Sequence, residues 1–484
     1  MFSGKKYDTN LLVIGAGSAG LISANIAATL KAKVTLIERH KMGGDCLNTG
    51  CVPSKTLLRS AKIRHLMNDS ERYGLKAADV AVDFPAVMGR VQSIIKHIEP
   101  NDSVERYTSL GVDCISGDAK LVSPNEVLVN GEKISARHII LAMGARPFIP
   151  EIAGLDAIDY LTSDNIWQLE ELPKSMLVMG SGAIACEMSQ AFSRLGSEVT
   201  MVQRSSSILN KEEPEVGEFM LKAFEQEGIQ VKLNSKISEV RKAEGGGVEV
   251  CLQDESGEQS WQWYEQILLA VGRKANTDGM GLEEVGVELN ADGTVKVDEY
   301  LRSSSHQNIL ACGDVAGPYQ FTHMASHQAW YATVNSLFGF VKKFKVDYRI
   351  VPKAVFTDPE IASVGKLESE LKAEGVAFEA VHFPLDDMDR ALAEGEAKGF
   401  IKVLLKDGSD KILGVTIVGA HAAELITEFI HVIKMGKGLN HILGTIHIYP
   451  SFSEANKYLA GQWKRKHAPQ WALKILQKLH AWRR

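Results

Sequence analysis

The stretch "NLLVIGAGSAGLISANIAATLKAKVTLIERH" opens with an unbroken apolar run, passes through a glycine turn into small residues at helical spacing, and closes on a second apolar run. That order predicts a buried strand, a helix and a parallel strand ending in Glu38, a βαβ unit. The same order returns in "SMLVMGSGAIACEMSQAFSRLGSEVTMVQRS", and in both copies the first glycine and the terminal residue (Gly15 and Glu38, Gly180 and Gln203) lie 23 positions apart. Short alternating strands separate and follow the copies, as in "GEKISARHIILAMG" and "EQILLAVGRKANT". A further apolar strand ends at Asp314 and gives way to a helix. From about Val346 strands ("GFIKVLLKD", "KILGVTIVG") mix with helix ("HAAELITEFIHVIKMG"), which predicts a separate α+β unit. The last segment, "WALKILQKLHAWRR", places Trp471, Ala472, Ile475, Leu476, Leu479 and Trp482 on one helical face.

The expected architecture is therefore α/β: two Rossmann-like nucleotide-binding domains and a C-terminal α+β domain. The expected divisions are 1–150 for the first part of one nucleotide domain, 151–276 for the second nucleotide domain, and 277–345 for the return to the first. Residues 346–466 form the α+β domain and 467–484 a basic amphipathic helix. At 484 residues the chain is long enough for such a division. A net charge of −6 excludes a body that wraps nucleic acid. No run of about 18 uncharged apolar residues is present, so a spanning helix is not expected. Six cysteines are too few for a disulfide scaffold, and the polar lead into the first strand lacks the apolar core of a signal peptide. A cytoplasmic protein is expected.

The two glycine motifs imply two nucleotides and electron traffic between them. In the first copy Gly15 makes the tight turn, Gly17 lets a pyrophosphate approach the helix N-terminus, Gly20 lets helix pack on strand, and Glu38 accepts ribose hydroxyls. The second copy has Gly180, Gly182 and Ala185, with Gln203 in place of the acid and Arg204 beyond it. Without a carboxylate to repel it, a 2′-phosphate fits there against Arg204, which favours NADP(H) over NAD(H).

Between the copies, "GGDCLNTGCVPSK" sets Cys46 and Cys51 five positions apart ahead of a helix. A helix N-terminus depresses a thiol pKa, so this pair reads as redox-active rather than structural. GxGxxG, CxxxxC followed by P-S-K, GxGxxA, a strand-end G-D and an α+β terminus together resemble the class I pyridine nucleotide-disulfide oxidoreductases, the family of dihydrolipoamide dehydrogenase, glutathione reductase and mercuric reductase. The resemblance implies FAD on the first Rossmann unit, a nicotinamide nucleotide on the second and a homodimer formed through the C-terminal domain. It makes Cys51 the flavin-side thiol and Cys46 the interchange thiol, with Lys55 and Glu187 as the ion pair near the flavin. Asp314 would meet the ribityl chain, Ala119 the adenosine, and Gly144 and Gly272 would end the two flanking strands. No resident metal is expected.

The chain also departs from that pattern. Disulfide-reducing members carry a histidine, paired with a glutamate, that shuttles a proton from the opposite subunit. Here the segment is "HIYPSFSE", with Tyr449 in the histidine's place and Glu454 in the glutamate's. A phenol titrates near ~10 and an imidazole near ~6.5, which makes Tyr449 a poor base. Mercuric reductases resemble this chain in having tyrosine there, so a metal ion or a quinone is the expected small acceptor. The competing expectations are a dihydrolipoamide dehydrogenase and a membrane-docked redox sensor. The basic tail, residues 467–484, leaves two expectations open: an apolar stripe packed on its own subunit or on the dimer partner, and peripheral contact with the inner membrane surface.

Overall fold

The computed structural model describes residues 6–76, 78 and 80–484. They divide into two compact units that do not follow the sequence in single blocks. One takes the described residues of 1–69, 77–206 and 227–347, and the other those of 70–76, 207–226 and 348–484. The segment 207–226, which the sequence reading placed inside 151–276, belongs to the second of these.

The first unit is built on two sheets, a wholly parallel one and a larger one whose parallel strands continue into the antiparallel Glu126–Val129 and Lys120–Ser123. In the larger, Thr9–Ile14 lies between Val34–Glu38 and Glu132–Leu141, with Val112–Ser116 beyond the former and Ile309–Ala311 beyond the latter. Leu12 stands opposite both Thr35 and Ile139. Leu11, Leu12 and Val13 are fully buried, as strands covered on both faces require. The second sheet repeats the arrangement. Ser175–Met179 lies between Glu198–Val202 and Gln266–Leu269, with Gln230–Lys232 outermost. In each sheet the chain crosses from one side of the first strand to the other, and the carboxyl end of that strand is where such sheets bind nucleotides.

Antiparallel pieces join these sheets. Ala145–Pro147 pairs with Arg273–Ala275, and Gly144 and Gly272 precede the two strands of this ribbon. The strands Lys236–Lys242, Val248–Gln253 and Gln259–Tyr264 form a separate three-stranded sheet.

The second unit is a five-stranded antiparallel sheet in the order Pro352–Val355, Glu360–Gly365, Ile412–Gly419, Phe400–Lys406, Phe378–Pro384. Ile401, Val403, Ile417 and Phe429 form part of its core, with Leu459 from the helix Glu454–Lys466. The helix Pro214–Gln226 joins this unit next to a charged anchor. Lys402, 1% exposed, donates to Glu213, Glu215 and Glu368 at 3.1, 2.9 and 3.0 Å. Burial alone would lower the pKa of Lys402, but the three carboxylates outweigh it and hold the pKa above the usual lysine range.

Candidate active site

Both predicted glycine turns form. Gly15 and Gly180 take φ of +97° and +112°, and a Cβ on either would lie 2.5 or 2.4 Å from a backbone oxygen, that of Ala142 or Ala270. The helices Ser18–Thr29 and Ala183–Leu195 start at Gly17 and Gly182 with nearly the same backbone angles, and neither has a side-chain cap or an acid in its first turn. Their first N–H groups therefore lack an intrahelical or side-chain partner and suit a pyrophosphate.

A Cβ on Gly20 would sit 1.8 Å from the Gly15 oxygen, which explains the third glycine as close helix–strand packing. In the second copy the methyl of Ala185 is accommodated and fully buried. Around Gly182 nothing lies within 4 Å of a Cβ position, and the same holds for Gly144 and Gly272, so these backbones face open space that a nucleotide can occupy. Glu38 ends its strand with one carboxylate oxygen accepting from the Ala16 N–H at 2.6 Å and the other from the His40 N–H at 2.8 Å. Ala119 is buried beside the same sheet, in the loop before Lys120–Ser123. Gln203 donates to Ser205 at 2.7 Å and accepts from the Arg204 N–H, while the Arg204 side chain is exposed. Glycine-lined turns, uncapped helix starts and an acid at the first strand end fit FAD on the first strand–turn–helix copy and a pyridine nucleotide on the second copy.

The cysteines sit at a helix junction. Cys46 lies in the short helix Gly44–Asn48, and Cys51 is the first residue of Cys51–Asn68. Gly50 joins the two helices and accepts no Cβ without pressing within 3.0 Å of the Asp45 oxygen. Both thiols are free. A hydrogen bond from Cys46 depresses the pKa of Cys51 to about 6, and Thr322 and the Lys55 ammonium act in the same direction. The same pairing, together with burial, pushes the Cys46 thiol upward, so one proton stays on Cys46 and the charge stays on Cys51.

Lys55 reaches Glu187 at 2.8 Å, and that carboxylate is buried. Asp314 is mostly buried, and its pKa is pushed up to about 6 by that burial. Arg273 at 3.6 Å opposes the shift, and Asp45 and Cys51 add to it. Arg273 also pairs with Asp45, the neighbour of Cys46.

Three contributors escaped the sequence reading. Thr322 places its Oγ1 3.3 Å from Cys51 Sγ at the start of the helix Thr322–Phe338. The signal available was only that this helix follows the strand ending near Asp314. Arg273, which follows Gly272, links Asp45 and Asp314, and no motif marks it. Trp167 donates from Nε1 to the Thr49 oxygen at 2.8 Å and to the Ser163 oxygen at 2.7 Å, clasping the loop between the cysteines. No local pattern marks it.

Tyr449 and Glu454 lie in the second unit, and the structure does not pair them. The Tyr449 hydroxyl donates to Asp389 at 2.8 Å, and this bond to a carboxylate raises the phenol pKa further above its ordinary value. Glu454 instead accepts from the Tyr458 hydroxyl at 3.0 Å and the Ser451 N–H at 3.2 Å. His447 is held by Glu428 at 3.1 Å from both carboxylate oxygens, with its side chain buried. Among the described residues no group of His, Cys, Asp and Glu could hold a metal ion, and no helix is long and apolar enough to cross a membrane.

Two nucleotide cradles with a free dithiol between them define a nucleotide-dependent dithiol oxidoreductase. Comparison with known proteins makes this specific. Residues 9–329 match the model for "Pyridine nucleotide-disulphide oxidoreductase", and residues 351–460 match the dimerisation domain of that family. A mercuric reductase of Lysinibacillus sphaericus is 35% identical over 454 residues, which is 94% of this chain and 82% of the relative. A dihydrolipoyl dehydrogenase of Chlamydia muridarum is 34% identical over 449 residues, 92% of this chain and 94% of the relative. The Cu(II) complex of the HOCl-induced flavoprotein disulfide reductase RclA from Escherichia coli superimposes with a TM-score of 0.83 at 25% identity, covering 92% of this chain and 98% of that chain. The chain belongs to the pyridine nucleotide-disulphide oxidoreductase family. It is an FAD-dependent member of mixed α/β fold that uses a pyridine nucleotide, and it carries the family's dimerisation domain.

Proposed function

We propose that this homodimeric flavoprotein oxidises NADPH and passes the electrons through Cys46 and Cys51 to a thiophilic metal ion. FAD, when bound, supplies the two-electron carrier between the nicotinamide and the cysteine pair. In this reading Gly15, Gly17, Gly20, Glu38, Ala119, Gly144 and Asp314 hold FAD. Gly180, Gly182, Ala185, Gln203, Arg204 and Gly272 hold NADP(H). Lys55, anchored by Glu187, keeps positive charge beside Cys51, and Thr322 orients that sulfur. Cys46 keeps its proton and presents the second sulfur to the acceptor. Thiolates are the ligands that soft metal ions prefer.

The observation that carries the acceptor class is Tyr449. Reducing a disulfide with NADPH consumes a proton, so an acid must deliver it. Reducing a divalent ion to the metal takes two electrons from NADPH and releases one proton, so no donor to the acceptor is needed. A phenol bound to Asp389, with its pKa raised, does not exchange a proton readily at neutral pH. The mercuric reductases among the relatives support this reading, and RclA has been seen as a Cu(II) complex.

The test is NADPH oxidation by the purified flavoprotein, followed with Hg(II), Cu(II), lipoamide, glutathione disulfide and quinones in turn. Turnover is expected with a metal ion and slow reaction with the disulfides. Rapid lipoamide turnover would move the assignment to dihydrolipoamide dehydrogenase.

A further inference from the structure

We propose that the C-terminal helix Gln470–Trp482 lies in the interface of an anionic phospholipid bilayer and docks the enzyme there, a role beyond electron transfer. None of its residues is buried, and Trp471 and Trp482 are 70% and 82% exposed. At 3.6 residues per turn Trp471, Ala472, Ile475, Leu476, Leu479 and Trp482 fall within an arc of about 140°. Lys474, Lys478 and His480 lie outside that arc, and Arg483 and Arg484 follow the helix. Lys474, Lys478 and Arg483 form no ion pair among the described residues.

Charge selects the occupant of this face. Four of the 54 Lys and Arg and none of the 60 Asp and Glu lie in residues 467–484, so a chain of net −6 divides into +4 there and −10 elsewhere. A tail of that sign is drawn to a negative surface. Area points the same way. Thirteen residues make a helix about 20 Å long and about 10 Å across. Its one apolar face falls well short of the ~800 Å² per partner of a stable protein interface. A bilayer needs no matching pocket, and tryptophan beside lysine is the composition of helices that lie at the headgroup boundary. A helix this short is marginal alone in water, so lipid also stabilises it.

The experiment is co-sedimentation of the full-length flavoprotein with vesicles of phosphatidylglycerol and phosphatidylcholine, and with phosphatidylcholine alone, at low and high salt. Binding to the anionic vesicles is expected, released by salt and weak on the neutral ones. Lys474→Gln with Lys478→Gln should weaken it about 25-fold, on the order of fivefold per cation. Trp471→Ala with Trp482→Ala should weaken it too, with flavin content and NADPH oxidation unchanged in both variants. Equal binding to neutral vesicles, or binding indifferent to both variants, overturns the proposal. A change of oligomeric mass in the tryptophan variant also overturns it, because the face would then belong to the enzyme's own assembly. NADPH oxidation reads the proposed reaction separately, so failure of either reading is recognised without the other.

Discussion

The two strand–turn–helix copies share a backbone and differ in charge. Gly17 and Gly182 start their helices with φ of −77° and −76° and ψ of −171° and −176°, and Gly15 and Gly180 face the same kind of backbone oxygen across their sheets. At the strand ends the resemblance stops. Glu38 offers a carboxylate fixed by two backbone N–H groups, whereas Gln203 offers a neutral amide tied to Ser205, with Arg204 free to turn toward solvent. The two copies share the backbone geometry of a nucleotide site, and the proposed choice of NADP(H) rests on the side chains at the second strand end. The copies are joined by Lys55, next to the redox thiols, and Glu187, on the second nucleotide helix.

The most severe test of this comparison is packing. Gly20→Val drives its Cβ into the Gly15 oxygen and should yield protein without flavin, whereas Ala185→Gly should leave both nucleotide sites intact. Flavin absorbance after gel filtration reads both, and a yellow Gly20→Val protein would break the account of the first turn.

Next in size is a change outside both copies. If Tyr449 takes the acid's place as proposed, Tyr449→His should raise disulfide-reductase activity by up to ~10²–10⁴-fold while flavin content and the KM for NADPH stay fixed. A changed KM for NADPH would mean that the nucleotide sites are not independent of the second unit.

Arg204→Glu should then reverse the preference for NADPH over NADH. One charge-assisted contact is worth about tenfold to a hundredfold. Steady-state kinetics with both nucleotides checks it, and a preference for NADH in the unaltered enzyme would remove the argument from charge.

The smallest effect concerns the joint between the copies. The Cys51 pKa is depressed in the folded protein, so its thiolate is present above about pH 6 and is lost as the pH falls through that value. Alkylation of the reduced protein should follow this curve. Lys55→Met should move the midpoint upward by less than Cys46→Ala does, because the Cys46 hydrogen bond is the larger cause. A midpoint unmoved by Cys46→Ala would deny that the two sulfurs share a proton.

The elements with a strong local period were legible before the structure. The apolar runs around Leu12 and Val178, the helices after Gly17 and Gly182, and the helix opening at Cys51 all lie where pattern and glycine placed them. Contacts between residues far apart in the chain were not. Thr322 meets Cys51 across 271 positions, and Trp167 reaches Thr49 across 118. No periodicity encodes either. Glu454 was readable as an acid near Tyr449, but Asp389, from a distant segment, takes the phenol. The redirection is a matter of tertiary packing, which a motif does not carry.

The anchor at Lys402 bears on how the chain leaves the ribosome. Glu213 and Glu215 are made nearly 190 residues before the lysine they hold. The helix Pro214–Gln226 is therefore synthesised early but cannot complete its electrostatic partnership until Phe400–Lys406 has emerged. A C-terminal fragment begun at residue 348 would keep Glu368 but bury Lys402 without its other two carboxylates. Breaking a buried pair in this way costs about 3–5 kcal/mol, comparable to much of a domain's stability. Genetic fusion or secretion of the C-terminal unit alone should therefore fail unless residues 207–226 travel with it.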